Sequence, residues 1–499
     1  MSDFNLDTSL IEFSSSSNKG HWTIRHAVEG VQIFGGIGSG KSSGSGRTLA
    51  LKYLKAGFGG LVLTVKPDEK ETWQEYCQLT GREKDLCIIE PGGNYHFNFL
   101  QYEAAQASGQ SITENIVEVL KTVIRAGEEK NGKSDDPFWE TALDMLIFNV
   151  IDLCLIAYGQ LSIQTLYDIV QSIPKPDQDN KVSHDTINAY HRAFQKAQQK
   201  VNEKVDDWYL HLSKEIQEQM DEAGTLEMEV ENAVPEARLY NFVRQFFNEN
   251  YISLSEKTRS IIDFTFSGFL FRLLREPIYS LFCRYDSNIQ PEDCLQGKII
   301  LLNLPVKVYQ KVGRDCQILF KYIWQRSMEK RSIRDNDRTL FLWADEAQNF
   351  LHEHDADYQA TARSSRISTV YISQNLPNYY ASMGGQKAEY RVKSFLGTLG
   401  TKIFHANADI ETNKYASELI GDAYVVDETS SVTIAGEFSH SRGKSLKLER
   451  VVRPEDFIRL RTGGTANDFR VDGYMHRQGD SLFKGMNHTK MSFNQNYTP

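Results

Sequence analysis

The chain has 499 residues, 40% of them hydrophobic and 24% charged, with a formal net charge of -10. That length exceeds one small core and suits one large domain carrying an insertion, or two to three domains. The acidic balance excludes a protein that coats nucleic acid with its whole surface, because neutralising phosphates takes concentrated Lys and Arg; a local basic site is still allowed.

The opening MSDFNLDTSL lacks a basic region followed by an apolar core, so no signal peptide is expected. The cysteines, at 77, 87, 154, 283, 294 and 316, show no C-x-x-C pair or zinc spacing and read as reduced thiols of a cytoplasmic protein. Continuous apolar runs at 31–34, 61–65, 86–90, 298–303, 339–344, 369–373 and 402–405 suit strands covered on both faces, as in a parallel sheet. Helical stretches such as 314–330 alternate with them, which predicts a doubly wound α/β core.

The first of these runs leads directly into Gly35-Gly36-Ile37-Gly38-Ser39-Gly40-Lys41-Ser42, a G-x-x-x-x-G-K-S phosphate loop, or Walker A motif. Glycines let the backbone wrap the phosphates, and the N-H groups and following helix terminus supply positive potential. Lys41 reaches the β and γ phosphates, and Ser42 ligates magnesium. With Ser43 these are the candidate ATP-binding residues. Next come Gly44 and Gly46, where the first turns of a helix belong, at a cost of roughly 1 kcal/mol each relative to Ala. Close packing of another backbone is the expected reason, with a contact from Arg47 to the nucleotide as the sharper alternative.

Between 105 and 250 the strand signals stop, and an all-helical insertion is expected. Its most apolar stretch, 141–159, carries Asp144, Asn149 and Asp152 and is read as a buried helix, since a charge in lipid costs about 3 kcal/mol. Residues 214–236 hold eight acidic residues against one basic, punctuated by Gly224 and Pro235: a solvated helix face, or a docking surface for a basic partner.

The strand run at 339–344 ends in Asp345-Glu346. Where the chain turns, both carboxylates can face the phosphates, Asp345 holding the magnesium shell and Glu346 polarising the attacking water. The pair points to a hydrolase. The strand at 369–373 ends at Gln374, placed to sense the γ phosphate, and Arg363 or Arg366 before it could reach a neighbouring subunit's ATP. His352-Glu-His-Asp355 lacks the i, i+4 spacing of a zinc pair and reads as a loop. The tail from 487 is polar and is expected to fray.

Together these residues resemble the TraG/TraD-like coupling ATPases of conjugation and type IV secretion, within the FtsK/HerA group of P-loop motors. The resemblance covers roughly 28–104 and 252–475 and rests on motif order: the loop, Leu61 to Glu69, Asn94 to Tyr102, Leu295 to Asn303, the Asp-Glu strand, an Arg eleven residues before a strand-ending Gln, 409–421, and Val452-Arg-Pro-Glu-Asp456. It implies a RecA-like core in two parts, 1–104 and 251–486, with the all-α domain 105–250 inserted between them and 487–499 as tail. It implies Arg363 as the trans arginine finger, Gln374 as sensor, and ATP with Mg2+ as cofactors. A homo-oligomer, expected to be a hexamer, would translocate DNA gripped by its backbone, and the helical insertion would meet a protein substrate or secretion-channel partner. The basic stretches 321–334 and 442–453 are candidate DNA contacts. Two features depart from the family: Lys66-Pro-Asp-Glu69 rearranges the charges of its strand-end motif, and the roughly thirty residues before the loop hold no segment able to span a bilayer. No integral membrane segment is therefore expected, and the location is cytoplasmic, or peripheral at the inner membrane through partners. The competing reading is an ATPase that recruits or remodels a protein partner without pumping DNA.

Overall fold

The computed structural model describes residues 4–14, 19–106, 112–128, 137–174, 188–383, 388–435, 437–479, 482 and 486–499. Its strands, in chain order, are β1 (Ser9–Ser14), β2 (Lys19–Thr23), β3 (Val31–Phe34), β4 (Gly59–Leu63), β5 (Leu86–Ile89), β6 (Ile299–Leu302), β7 (Leu340–Ala344), β8 (Ile367–Ser373), β9 (Thr401–Phe404), β10 (Asp422–Ala435), β11 (Glu437–Arg450), β12 (Arg470–Arg477) and β13 (His488–Asn494). Nine of them make one sheet in the order β13-β12-β9-β3-β8-β7-β4-β6-β5. The pairs β3/β8, β3/β9, β7/β8, β4/β7 and β4/β6 are all parallel. All seven apolar runs read from the sequence are strands of this sheet, and β3, β7 and β8 are buried along their whole length. This is a RecA-like α/β core.

The chain divides into two compact units, Met1–Ile88 with Pro291–Gln310 and Trp324–Pro499, and Ile89–Gln290 with Lys311–Ile323. In the first, aromatic stacking fills one side of the sheet. Trp22 stacks near Tyr53, Tyr53 on Phe58, and Trp73 on Phe341 with its edge to Trp343. Trp22 satisfies its buried N-H by donating to Thr401 Oγ1 at 3.1 Å.

The second unit is helical; among the described residues between Ile89 and Ile299 there is no strand. Its helices start where side chains can cap them: Ser162, Asn188 and Ser255 each accept from the backbone N-H three residues on. The helix Phe138–Tyr158 is long and apolar enough to cross a membrane by length and composition, and half of that stretch is buried in the protein. It packs against the helices Ile112–Glu128, Ile163–Gln171, Ala189–Leu210, Pro235–Gln245 and Glu256–Leu273. Its polar residues are paired there. Asp144 lies 3.3 Å from Lys121 and 3.4 Å from Arg125, Asp152 accepts from Thr113 Oγ1 at 2.6 Å, and Asn149 donates to the Met145 carbonyl at 2.7 Å. Burial raises the Asp152 carboxyl to about 6.

Two expectations are corrected, and the two basic stretches are located. The helical unit is wider than 105–250, because the helix Glu256–Leu273 packs on Ile163–Gln171 and Phe138–Tyr158 and belongs with them. The tail does not fray: β13 pairs antiparallel with β12, which pairs antiparallel with β9, so the sheet grows past its parallel part. The basic stretch 442–453, one of the two candidate DNA contacts, lies mostly in β11, one arm of a two-stranded ribbon with β10. Of the stretch 321–334, Lys321 is fully buried, and Arg331 is spent on the carbonyls of Arg338 and Ser365.

Candidate active site

Three parallel strands standing side by side, β3, β8 and β7, carry the predicted site residues at their C-terminal ends. After Phe34 the loop is pinned to both neighbouring strand ends, Gly35 N donating to the Ser373 carbonyl at 3.3 Å and Gly36 N to that of Ala406 at 2.8 Å. Gly38 (φ 70°) and Gly40 (φ 78°) occupy the left-handed region, which a side chain would disfavour. Ile37 projects at the tip, 89% exposed. Ser39 is buried with a hydroxyl that has no hydrogen-bond partner, as a loop shaped for an oxygen-rich ligand would leave it.

The chain then enters a wide, π-type turn, Ser42–Gly46, before the regular helix Arg47–Lys55. A Cβ on Gly44 would come within 2.9 Å of Val471 Cβ, so the glycine is there because β12 packs against the turn. Close packing was expected, but the neighbour is a side chain and comes from a strand that the sequence did not reveal. Arg47 serves the core instead of a ligand: it donates to the Tyr497 carbonyl and Glu75 and lies over the Tyr76 ring. Ser43 Oγ accepts from Gln495 Nε2 at 2.6 Å, which ties the last residues of the chain to the loop.

The carboxylates meet this loop from β7. Ser42 Oγ donates to Asp345 Oδ2 at 2.7 Å, and Lys41 Nζ stands 3.6 Å from Glu346 Oε1. Both carboxylates point the same way because Glu346 takes a left-handed backbone (φ 50°, ψ 48°), a conformation that costs a non-glycine residue about 1–3 kcal/mol and persists where the surroundings hold it. What holds it is visible: its own N-H donates to Asp345 Oδ1 at 2.9 Å, Gln348 Nε2 to its Oε2 at 2.8 Å, and Gln374 Nε2 to its two oxygens at 3.2 and 3.4 Å. Burial pushes the Glu346 carboxyl up, but the Gln348 amide, the Lys41 charge and the Gln374 amide together hold it below the usual carboxylate range. It is therefore ionised at neutral pH.

Residues that the motif reading left aside complete the cluster. Lys66 Nζ is 3.5 Å from Asp345 Oδ2, so the rearranged Lys66-Pro-Asp-Glu69 still delivers a cation to the site. Glu69 accepts from the N-H groups of Val65 and Lys66, and burial, then the Asp345 charge, raise its carboxyl to about 8. His405, at the end of β9, is fully buried. Its Nδ1 faces the Asp472 carbonyl at 2.8 Å and can only donate there, so Nε2 accepts the Ser45 hydroxyl at 2.7 Å. Burial lowers its pKa to about 4 and keeps it neutral. The hint in the sequence was only a polar residue at a strand end.

The two arginines part company. Both lie before β8, a seven-residue strand that spans about 20 Å, so neither shares an end of the sheet with the chain's own loop. Arg366 (φ 50°) donates to the carbonyls of Phe4 and Asp337 and to the Asp337 carboxylate and is committed to its own fold. Arg363 is 63% exposed, 3.7 Å from Glu29. The His352-Glu-His-Asp355 segment is packing: His352 Nε2 meets Gln325 Oε1 at 2.9 Å, and its N-H caps onto Asp355 Oδ2. Among the described residues no group of three or more His, Cys, Asp or Glu could hold a metal ion.

Residues 339–462, which contain Asp345, Glu346, Arg363 and Gln374, match the family described as the TraM recognition site of TraD and TraG. Solved structures of the conjugative coupling protein TrwB share the fold across nearly the whole chain. The unbound TrwBdeltaN70 form has a TM-score of 0.61 at 14% identity, covering 95% of this chain and 86% of that one. The complex with ADP and Mg2+ has 0.60 at 15% identity over 96% and 88%, and the complex with the GTP analogue GDPNP 0.59 at 14% over 96% and 88%. No curated protein sequence matches the chain. The resemblance to TraG/TraD-like coupling ATPases thus stands on two findings, the matched segment and the shared fold.

Proposed function

We propose that this chain is the subunit of a ring-forming, ATP-driven motor of the coupling-protein kind, hydrolysing Mg-ATP to move DNA or a nucleoprotein. One observation carries the reading: Lys41, Ser42, Asp345, Glu346 and Gln374, drawn from three separate segments, form one ion-paired and hydrogen-bonded cluster at the C-terminal ends of adjacent parallel strands. In such sheets, that edge is where ligands bind. The ADP-Mg2+ complex of TrwB, which has the same fold, supports the choice of nucleotide and metal.

The phosphates would lie along Gly35 to Ser43, with Lys41 on the β and γ groups. Ser42 and Asp345 would hold Mg2+, which neutralises phosphate charge when bound. Glu346 is the base. Ionised, and oriented by Gln348 and Gln374, it would accept a proton from the attacking water as that water's oxygen bonds to the γ phosphorus and the bond from that phosphorus to the β–γ bridging oxygen breaks, with ADP as the leaving group. Because Gln374 grips Glu346, the amide at the end of β8 is placed to couple the presence of γ phosphate to the base. Arg363, exposed at the opposite end of β8, would complete the site of a neighbouring subunit, which is why the working form is taken to be an oligomer, with a hexamer expected.

A second reading, a motor acting on a protein partner, draws on the exposed acidic helices Lys214–Ala223 and Leu226–Ala233. Steady-state ATP hydrolysis with and without single- and double-stranded DNA at low and moderate salt separates the two. Several-fold stimulation that fades with salt is expected for backbone-bound DNA; robust turnover indifferent to DNA would transfer the proposal to a protein substrate.

A further inference from the structure

The exposed Arg363 must be aimed if it is to act on a neighbour, and its surroundings contain a device for doing so. It caps the C-terminus of the helix Asp355–Ala362 and lines a cavity of about 480 Å3 together with Glu29, Gly400 and Arg477. Glu29 sits just before β3. Its Oε1 is 3.7 Å from Arg363 Nη2, and its Oε2 is 3.4 Å from Nη2 of Arg477, the last residue of β12. Exposure grades across the trio, from 63% for Arg363 through 17% for Glu29 to 5% for Arg477. The backbone behind Glu29 is fixed as well. Its carbonyl accepts from Gly400 N at 2.8 Å, and a Cβ on Gly400 would come within 2.8 Å of the Glu29 Cβ, so the approach needs a glycine there.

We propose that Glu29 is a positioning residue for Arg363, held in place by the buried Arg477, and that it aims the guanidinium outward from the N-terminal end of β8 toward the neighbouring subunit's nucleotide. This rests on the reading of Arg363 as a trans arginine. An arginine side chain loses much rotamer freedom when it engages a phosphate, and a partner that restrains it beforehand removes part of that loss. The restraint also has to release. An ion pair whose arginine is mostly in solvent is weakly held, so departure to a phosphate costs little, whereas the nearly buried Glu29–Arg477 pair stays behind as the anchor. Because the finger meets charge that develops in the transition state, losing the aim should lower kcat and leave the KM for ATP alone.

The test uses the assembled full chain and three variants, with ATP turnover, nucleotide binding and melting temperature measured for each. Arg363→Ala is expected to lose about a thousandfold in turnover while still binding ATP. Glu29→Gln, nearly isosteric, is expected to melt and bind ATP like the parent while kcat falls about tenfold, and Glu29→Asp should recover part of the loss. If Arg363→Ala is inactive but Glu29→Gln keeps its kcat within twofold of the parent, the positioning role is wrong and the finger stands. If Arg363→Ala turns over normally, the finger reading itself fails and takes the positioning role with it. Should Glu29→Gln not assemble, Glu29→Asp carries the test, because it keeps the charge but draws it back by one methylene: a lower kcat at unchanged KM supports the role and an unchanged kcat overturns it.

Discussion

At the scale of single residues, the site depends on one strained backbone conformation and the groups that hold it. Glu346 in the left-handed region, braced by Gln348 and Gln374, turns two consecutive carboxylates to the same side, which an extended strand cannot do. Replacing the base while keeping its shape should separate binding from chemistry: Glu346→Gln is expected to bind ATP with parental affinity and to lose turnover by a hundredfold or more, an order of magnitude typical of a general base. Mixing it with Arg363→Ala provides a sharper check. In mixed oligomers some interfaces pair an intact Glu346 with an intact Arg363 from the next subunit, so activity should reappear on mixing two inactive proteins. If none returns although the mixture co-assembles, the arginine does not act in trans.

At the scale of elements, the phosphate loop is shaped from outside as much as by its own glycines. Gly44 is closed off by Val471 of β12, Ser43 is tied to Gln495, and Ser45 is bonded to His405 just after β9. Gly44→Ala would ordinarily favour a helix by up to about 1 kcal/mol. Here the added methyl meets a fully buried side chain, and overpacking of that kind costs about 1–3 kcal/mol. The expected result is a lower melting temperature together with weaker ATP binding, since displacing the turn moves Ser42; an unchanged melting temperature would show that β12 can give way.

At the scale of the whole molecule, buried titratable groups set how stability follows pH. His405 and His476 are lowered to about 4, mainly by burial, so the unfolded chain binds protons there first as pH falls. Their contribution is complete above about pH 6.5 and is lost on the way to pH 4, at roughly 3 kcal/mol each for shifts of 2–3 units. Glu69, raised to about 8 by burial and by Asp345, and Asp152, raised to about 6 by burial, work in the opposite direction: each favours the folded state more as pH falls toward its ordinary value, so that at about 1.4 kcal/mol per unit Glu69 offsets about one histidine between pH 6.5 and 4.5 and Asp152 most of the other. Lys402, lowered to about 8 by burial within β9, carries its charge at a cost below pH 8, which is relieved between pH 8 and 10.5. These four groups therefore nearly cancel between pH 6.5 and 4.5, whereas above that range Lys402→Met is expected to melt higher than the parent at pH 7, with the gain shrinking by pH 10. A gain independent of pH would mean that folding does not lower the pKa of this lysine.

The phosphate loop, the Asp345-Glu346 pair and Gln374 were legible in the amino-acid sequence because each is a local pattern: an apolar run long enough for a buried strand, followed at once by residues whose chemistry requires a strand end. So were the parallel sheet and the helical insertion, since periodicity is a property of neighbours in the chain. Tertiary structure alone decided the rest. Arg363 and Arg366 have the same sequence credentials, and only the carbonyls of Phe4 and Asp337 distinguish them, by consuming one and leaving the other exposed. Glu29 and Arg477 lie far apart in the chain and meet only because β12 joins the sheet beside β9. The polar tail reads as solvent-exposed until its partner strand is known, because pairing between distant strands leaves a weak trace in either one. Composition and spacing report what a residue can do, and which of several equivalent residues does it depends on contacts that the chain makes only when folded.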